Sequence, residues 1–199
     1  FVSIFIAACF HLAAIISLLL PIVLMLKISN KKLLIILFVF YMLAIFHVYP
    51  TNLIINTLSY FSLLPDSFAI YLGYESYQYE LGAFNIKALL QIFTIAILFW
   101  FSGLLQKQVK GFDVLFTAYI LSTIILLMFG DFAILGARLA TMLANVEFIL
   151  IPSLILIFKV HERAIPYVVI VILSAIMMNL NLGPDRLTGY ENYMFDLFI

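Results

Sequence analysis

Charge is what this sequence has least of: ten basic and ten acidic side chains in 199 residues, 66% of which are apolar. With a mean hydropathy of +1.23, no water-soluble domain of this length could hide its apolar content, so the solvent of the chain is lipid. Cysteine occurs once, as Cys9 inside an apolar run, which excludes an internal disulfide and reads as a small buried hydrophobe. There is no glycine-rich phosphate loop, basic stripe, zincin helix, paired CxxC or nucleophile elbow. These absences exclude nucleotide and nucleic-acid partners, a metal site and the usual hydrolase and ATPase routes, and they imply no cofactor. A basic leader is also lacking, since the chain opens at Phe1 within a hydrophobic run. The expectation is the carboxy-terminal part of a larger membrane protein.

What is present is a series of six apolar stretches, near Phe1–Leu26, Leu33–Tyr49, Ala88–Leu105, Phe112–Phe129, Leu139–Phe158 and Ile165–Leu182. Each reaches or approaches the ~20 residues that a helix needs to cross a ~30 Å hydrocarbon core. Lipid leaves backbone polar groups no outside partner, and long unbroken runs are not the alternation of barrel strands, so the stretches are read as helices. The predicted fold is all-α: a polytopic transmembrane bundle of about six spanning helices, forming one domain over residues 1–199. Neither a discontinuous helix nor an internal repeat is visible.

The short connections Lys27 to Lys32, Gln106 to Gly111 and Lys159 to Arg163 fall at every second crossing and collect seven cations, against Lys87, Arg138 and Arg186 on the other side. This bias makes the first side cytoplasmic and places the carboxy terminus outside. Acids run the other way, with Asp66, Glu75, Glu80, Asp131, Asp185, Glu191 and Asp196 outside. The long outer segment from Pro50 to Lys87 carries Ile54, Ile55, Leu58, Phe61 and Leu64 near helical spacing, as in a helix lying in the interface and ended by Pro65.

Several polar residues could carry chemistry. His11 lies about 24 Å above the inner boundary, counting back from Lys27 at ~1.5 Å per residue. It reads either as a neutral histidine bonded to a neighbouring backbone or as a phosphate ligand or proton carrier. Arg138 opens the fifth helix, where a guanidinium can grip an anionic head group or simply snorkel to the interface. Glu147 lies deeper on that helix, on the opposite face from Arg138 if the helix is straight. It shares a seam with Gly136, Ala140 and Ala144, so it points into the bundle in a structural or a functional role. The outer loop interleaves Tyr71, Tyr74, Tyr77 and Tyr79 with Glu75 and Glu80, a mixture suited to sugar faces and hydroxyls but also to an aromatic belt. His47, Asp131, Asp185 and Arg186 share that side, and Asp113 reads as a cap-region acid at the inner end of its helix.

The run Phe10-His11-Leu12-Ala13-Ala14-Ile15-Ile16, ending in Leu20-Pro21, resembles the "H-x-S-A-hydrophobic … L-P" helix of the EpsG and Wzy-like polysaccharide polymerases, departing at Ala13 where a hydroxyl residue is common. A tyrosine-rich acidic loop, here Tyr74 to Gly82, precedes a helix of the form "R-L … E-x-(I/L)-L-(I/L)-P", here Arg138-Leu139 and Glu147-Phe148-Ile149-Leu150-Ile151-Pro152. The family's central aromatic is replaced by Thr141, Met142 and Leu143. The tail Gly189-Tyr190-Glu191-Asn192-Tyr193 is similar to the family's ending without its Pro-Tyr. The resemblance implies a multi-pass glycosyltransferase of the bacterial inner membrane, active face outward, that polymerises polyprenyl-diphosphate-linked oligosaccharide repeat units for exopolysaccharide, capsule or O-antigen. It implies that Arg138 and His11 contact the diphosphate, that Glu75 or Glu80 orients the acceptor, and that Tyr77 and Tyr79 stack on sugar. Arg186 and Glu147 would add substrate contacts. Implied partners are the lipid-linked oligosaccharide, membrane lipid, and a chain-length regulator or other assembly proteins. The rival reading is a polysaccharide or lipid transporter.

Overall fold

A computed structural model describes residues 16–51, 57, 60 and 82–181, and every statement below concerns these. Among them are eight α-helices and no strand: α1 (Leu19–Met25), α2 (Asn30–Ile45), α3 (Ile86–Trp100), α4 (Ser102–Gln108), α5 (Phe112–Met128), α6 (Ala133–Ala144), α7 (Glu147–Ser153) and α8 (Ala164–Asn181). The expected interfacial helix, the first half of the first apolar stretch, Cys9 and the tail from Leu182 onward lie outside the described residues.

The chain divides into two compact units, Phe1–Ser153 and Leu154–Ile199. In the first, α5 is the axis. It is apolar all round and buried nearly all round, from Phe116 to Leu127 without a gap, as befits a helix with neighbours on every side. Helices α2, α3 and α6 pack against it most extensively, and α1, α4 and α7 touch it more lightly. Ser122 and Thr123 ride inside this core because their hydroxyls donate back to the Tyr119 carbonyl at 2.7 and 3.2 Å.

The peripheral helices are apolar on their outward faces as well. Ile35 and Phe38 on α2, Phe93 and Trp100 on α3, and Phe148 and Ile149 on α7 are all exposed. In the second unit, α8 exposes Ile165, Val168 and Val171 in the same way. Exposed apolar surface on this scale exceeds what a soluble monomer shows to water, and acyl chains cover it. The fold is thus the all-α bundle that the apolar stretches predicted.

Continuity is where the expectation fails. Among the described residues no single helix is long and apolar enough to cross a membrane. Two pairs reach that length only together, Ile86–Trp100 with Ser102–Gln108, bent by 77°, and Gly136–Ala144 with Glu147–Ile157, bent by 54°. The first bend falls at Phe101, with φ −97° and ψ 9°, just before the Ser102–Gly103 pair, a usual site for a kink. The second falls at Asn145 and Val146; Pro152 lies inside α7, where its ring nitrogen has no proton for the carbonyl four residues back, and a 3-10 stretch, Leu154–Ile157, follows directly.

Helices α1 and α2 stop in the same way. Lys27 and His47 take the left-handed conformation, with φ of 50° and 56°. Backbone bonds from Ile28 to the Val23 carbonyl (3.3 Å) and from Val48 to the Leu43 carbonyl (2.9 Å) close the two ends. Glycine is the usual occupant of such a position, so neither stop is marked in the sequence, and α2 ends four residues before Tyr49.

Two close approaches fix the neighbours of α5. A Cβ on Gly136 would lie 2.9 Å from the Phe129 Cβ and 3.0 Å from its carbonyl oxygen, so α6 can cross there only without a side chain. The Tyr49 ring occupies the place that a side chain on Gly130 would need. At the opposite, basic end, Asp113 in the first turn of α5 accepts from Gln106 (2.8 Å) and Asn30 (3.4 Å), and Thr117 donates to Asn30 (2.9 Å). That network draws the basic connections of Lys27 to Lys32 and Gln106 to Gly111 to one end of the unit, the arrangement their shared sign predicted.

Candidate functional site: a polar layer between α3, α5 and α7

The site begins with a cap. The Asn85 side chain accepts from the Lys87 backbone N–H at 2.9 Å, which starts α3 and sets its rotation. From that start Lys87, Gln91 and Thr94, spaced by four and three residues, lie along one face of the helix. Ala88, Ile95 and Leu98 bury the same side of α3. Gln91 is only 1% exposed.

Opposite stand Tyr119 and Thr123, one turn apart on α5 and both buried. The Thr123 hydroxyl lies 3.3 Å from the Gln91 carbonyl oxygen, and the Gln91 amide nitrogen has no hydrogen-bond partner among the described residues. A hydroxyl has one proton, and Thr123 also faces the Tyr119 carbonyl. If the proton goes to that carbonyl, the Gln91 amide turns over to donate to Thr123 and its oxygen becomes the unpaired atom. Either way, half of one buried amide has nothing to bind among these neighbours.

The Tyr119 hydroxyl meets the Thr94 side chain, and Glu147, half-buried at the start of α7, is near enough for its charge to act on Tyr119. The cation that acts on Glu147 is Lys87. The break at Asn145 and Val146 is what carries Glu147 to this position, since it frees α7 from the rotation that α6 would impose. One turn further out, Ala44, Tyr49, Gly82, Ala88, Leu126, Leu127 and Gly130 line a small cavity. A carboxylate, an ammonium, an amide and three hydroxyls thus fall in one layer among apolar helices, where hydrogen bonds are strong and unmet polar groups costly. Such a set can bind hydroxyl groups and accept a proton from one of them.

Of the residues singled out from sequence, Arg138 lies exposed on α6 and Glu147 half-buried on α7. The seam Gly136, Ala140 and Ala144 is buried, as its small residues foretold. Asp113 sits in the first turn of α5, Asp131 in the turn between α5 and α6, and His47 at the end of α2. His11, Glu75, Glu80, Tyr77, Tyr79, Asp185 and Arg186 lie outside the described residues. Sequence reasoning passed over Gln91, Thr94, Tyr119 and Thr123 and placed Lys87 only by side. The available signal was the spacing of Lys87, Gln91 and Thr94 in an otherwise apolar run. Among the described residues no group of three or more histidine, cysteine, aspartate or glutamate side chains could hold a metal ion.

Comparison with known proteins gives one match: the model of the EpsG family covers residues 1–193. No curated protein and no solved structure matches the chain.

Proposed function

Because the chain belongs to the EpsG family, a group of membrane proteins of polysaccharide biosynthesis, we propose that it is the polymerising enzyme itself. In this reading it is a Wzy-like glycosyltransferase of the bacterial inner membrane that joins polyprenyl-diphosphate-linked oligosaccharide repeat units on the outer face. The match along nearly the whole chain is the observation that carries the proposal. The chemistry needs cations at the leaving diphosphate and an acceptor for the proton of the attacking sugar hydroxyl, and no nucleotide. Arg138 and His11 serve the diphosphate, Glu75 or Glu80 orients the acceptor, Tyr77 and Tyr79 stack on sugar, and Arg186 and Glu147 add substrate contacts. A chain-length regulator or another assembly protein would act beside it, and one transmembrane domain would carry the whole site.

The exposed guanidinium of Arg138 supports its place in this scheme, since a group that must meet a membrane-bound diphosphate cannot be sealed in the core. Arg138→Ala in the intact protein is expected to shorten the repeat-unit ladder by at least tenfold in high-length bands. A ladder of normal length at equal protein level removes Arg138 from the mechanism. The two bent apolar pairs favour a second reading, a transporter or flippase, because broken helices are common around transported substrates. Reconstitution with lipid-linked repeat units separates the two: new glycosidic bonds mark the enzyme, translocation alone the transporter.

A further inference from the structure

We infer that Gln91 is the centre of a subsite for sugar hydroxyls, with Glu147 and Tyr119 as its other hydrogen-bonding groups and Lys87 as the residue that positions Glu147. Three observations converge on it. First, Gln91 is almost wholly buried, yet half of its amide is unmatched among the described residues, whichever way the amide is turned. A buried amide is normally paired, and one left open is explained by a group that arrives from outside. Second, Gln91 lies on α3 between Lys87 and Thr94: Thr94 is the hydrogen-bond partner of the Tyr119 hydroxyl, and the charges of Lys87 and Tyr119 both fall within the electrostatic reach of Glu147. The open amide therefore lies on the helix face that carries the phenol's partner and looks toward the carboxylate's surroundings. Third, the small cavity next to Ala88 and Leu127 adjoins the layer of Gln91 and Thr123 one turn outward, on the same helix faces.

The chemistry selects the ligand class. An amide, a carboxylate and a phenol offer donors and acceptors together, which suits vicinal hydroxyls, each of them donor and acceptor at once. An anion is disfavoured beside Glu147, and an apolar chain would leave the amide unmet. The subsite rests on the polymerase reading only for its assignment to the acceptor end of the substrate. Binding of sugar hydroxyls is independent of it.

The test compares the intact wild-type protein with Gln91→Leu, reconstituted with polyprenyl-diphosphate-linked repeat units. Free oligosaccharide repeat units, released from the carrier by mild acid, serve as a separate binding probe. The expected result is a KM for the acceptor raised at least tenfold, loss of the thermal shift that the free oligosaccharide gives the wild type, and a melting temperature without ligand that is unchanged or higher. Leucine fills the space of the amide and leaves Thr123 its carbonyl partner, so a purely structural glutamine would give the opposite pattern. A lowered melting temperature with acceptor KM and oligosaccharide shift unchanged overturns the subsite, as does a glutamine that merely holds a water, which would leave both substrate measurements untouched. If the wild type binds oligosaccharide and forms no glycosidic bond, the polymerase reading falls while the subsite stands. If polymer forms and Gln91→Leu behaves as wild type, the reverse holds. Lys87→Met is expected to raise the acceptor KM severalfold, and Lys87→Arg to restore it; failure of the arginine to rescue withdraws the positioning role.

Discussion

The two ends of α5 solve the problem of polar side chains in different ways. At the basic end, Asn30, Gln106, Asp113 and Thr117 tie three helices together through bonds of 2.8 to 3.4 Å, in a largely water-accessible place. Asn30, Gln106 and Asp113 have water as an alternative and the buried Thr117 hydroxyl has Asn30, so the network adds little net energy and serves to set the helices in register. Further along α5, the buried Tyr119, Thr123 and Gln91 have no such alternative, and there a donor or acceptor is left over. Exposed polar groups that are all matched are scaffolding. Buried ones that are not all matched ask for a ligand.

Four substitutions and one double variant probe that contrast, and the largest effect is expected in the core. Tyr119→Ala removes the largest of the fully buried side chains and should cost about 3–5 kcal/mol, whereas Asp113→Ala should cost about 1 kcal/mol or less. Chemical unfolding in detergent measures both, and equal losses would erase the distinction between the two ends. Next comes Thr123→Val, which strips Gln91 of its remaining neighbour and should cost about 1–3 kcal/mol. Adding Gln91→Leu to it should recover most of that loss, because an apolar pair leaves no orphan; a double variant as unstable as the single one would mean that the amide is satisfied elsewhere. The smallest effect is a gain. His47→Gly relieves a left-handed histidine and should raise stability by a few tenths of a kcal/mol to about 1 kcal/mol. A drop in melting temperature would instead show that the imidazole contributes more than its backbone geometry costs.

How much of this could be read in advance follows from which signals are local. Apolar runs and the sign of their connections are local, so the helices and the gathering of Lys27, Lys31, Lys32, Lys107 and Lys110 at one end were legible, whereas the near-total burial of α5 was not, since its neighbours are as apolar as it is. The seam of Gly136, Ala140 and Ala144 was legible because small residues at helical spacing have one main use. The bend at Phe101 was not, since the run from Ala88 to Leu105 stays apolar through it and only Ser102–Gly103 breaks the pattern. The stops at Lys27 and His47 were hidden because neither is glycine. Opposite placement of Arg138 and Glu147 assumed a straight helix, and the break between them removes that premise. The pairing of Gln91 with Thr123 spans 32 residues, and nothing local in either helix announces the other. Only tertiary structure could bring the charge of Lys87 within reach of Glu147.

The helices around the site are short. The unbroken helices α2 and α5 have 16 and 17 residues, and the straight part of α3 has 15. At ~1.5 Å per residue they measure about 23 to 26 Å, less than a ~30 Å hydrocarbon core. The bend at Phe101 keeps α3 from making up the difference, since α4 turns aside instead of continuing the crossing. A bilayer of ordinary thickness around these helices would be mismatched by several ångströms and would thin to meet them. Under the proposed polymerase function, a head group carried on a long isoprenoid chain would have that much less oil between it and the polar layer, so the membrane itself would become part of the approach to the site.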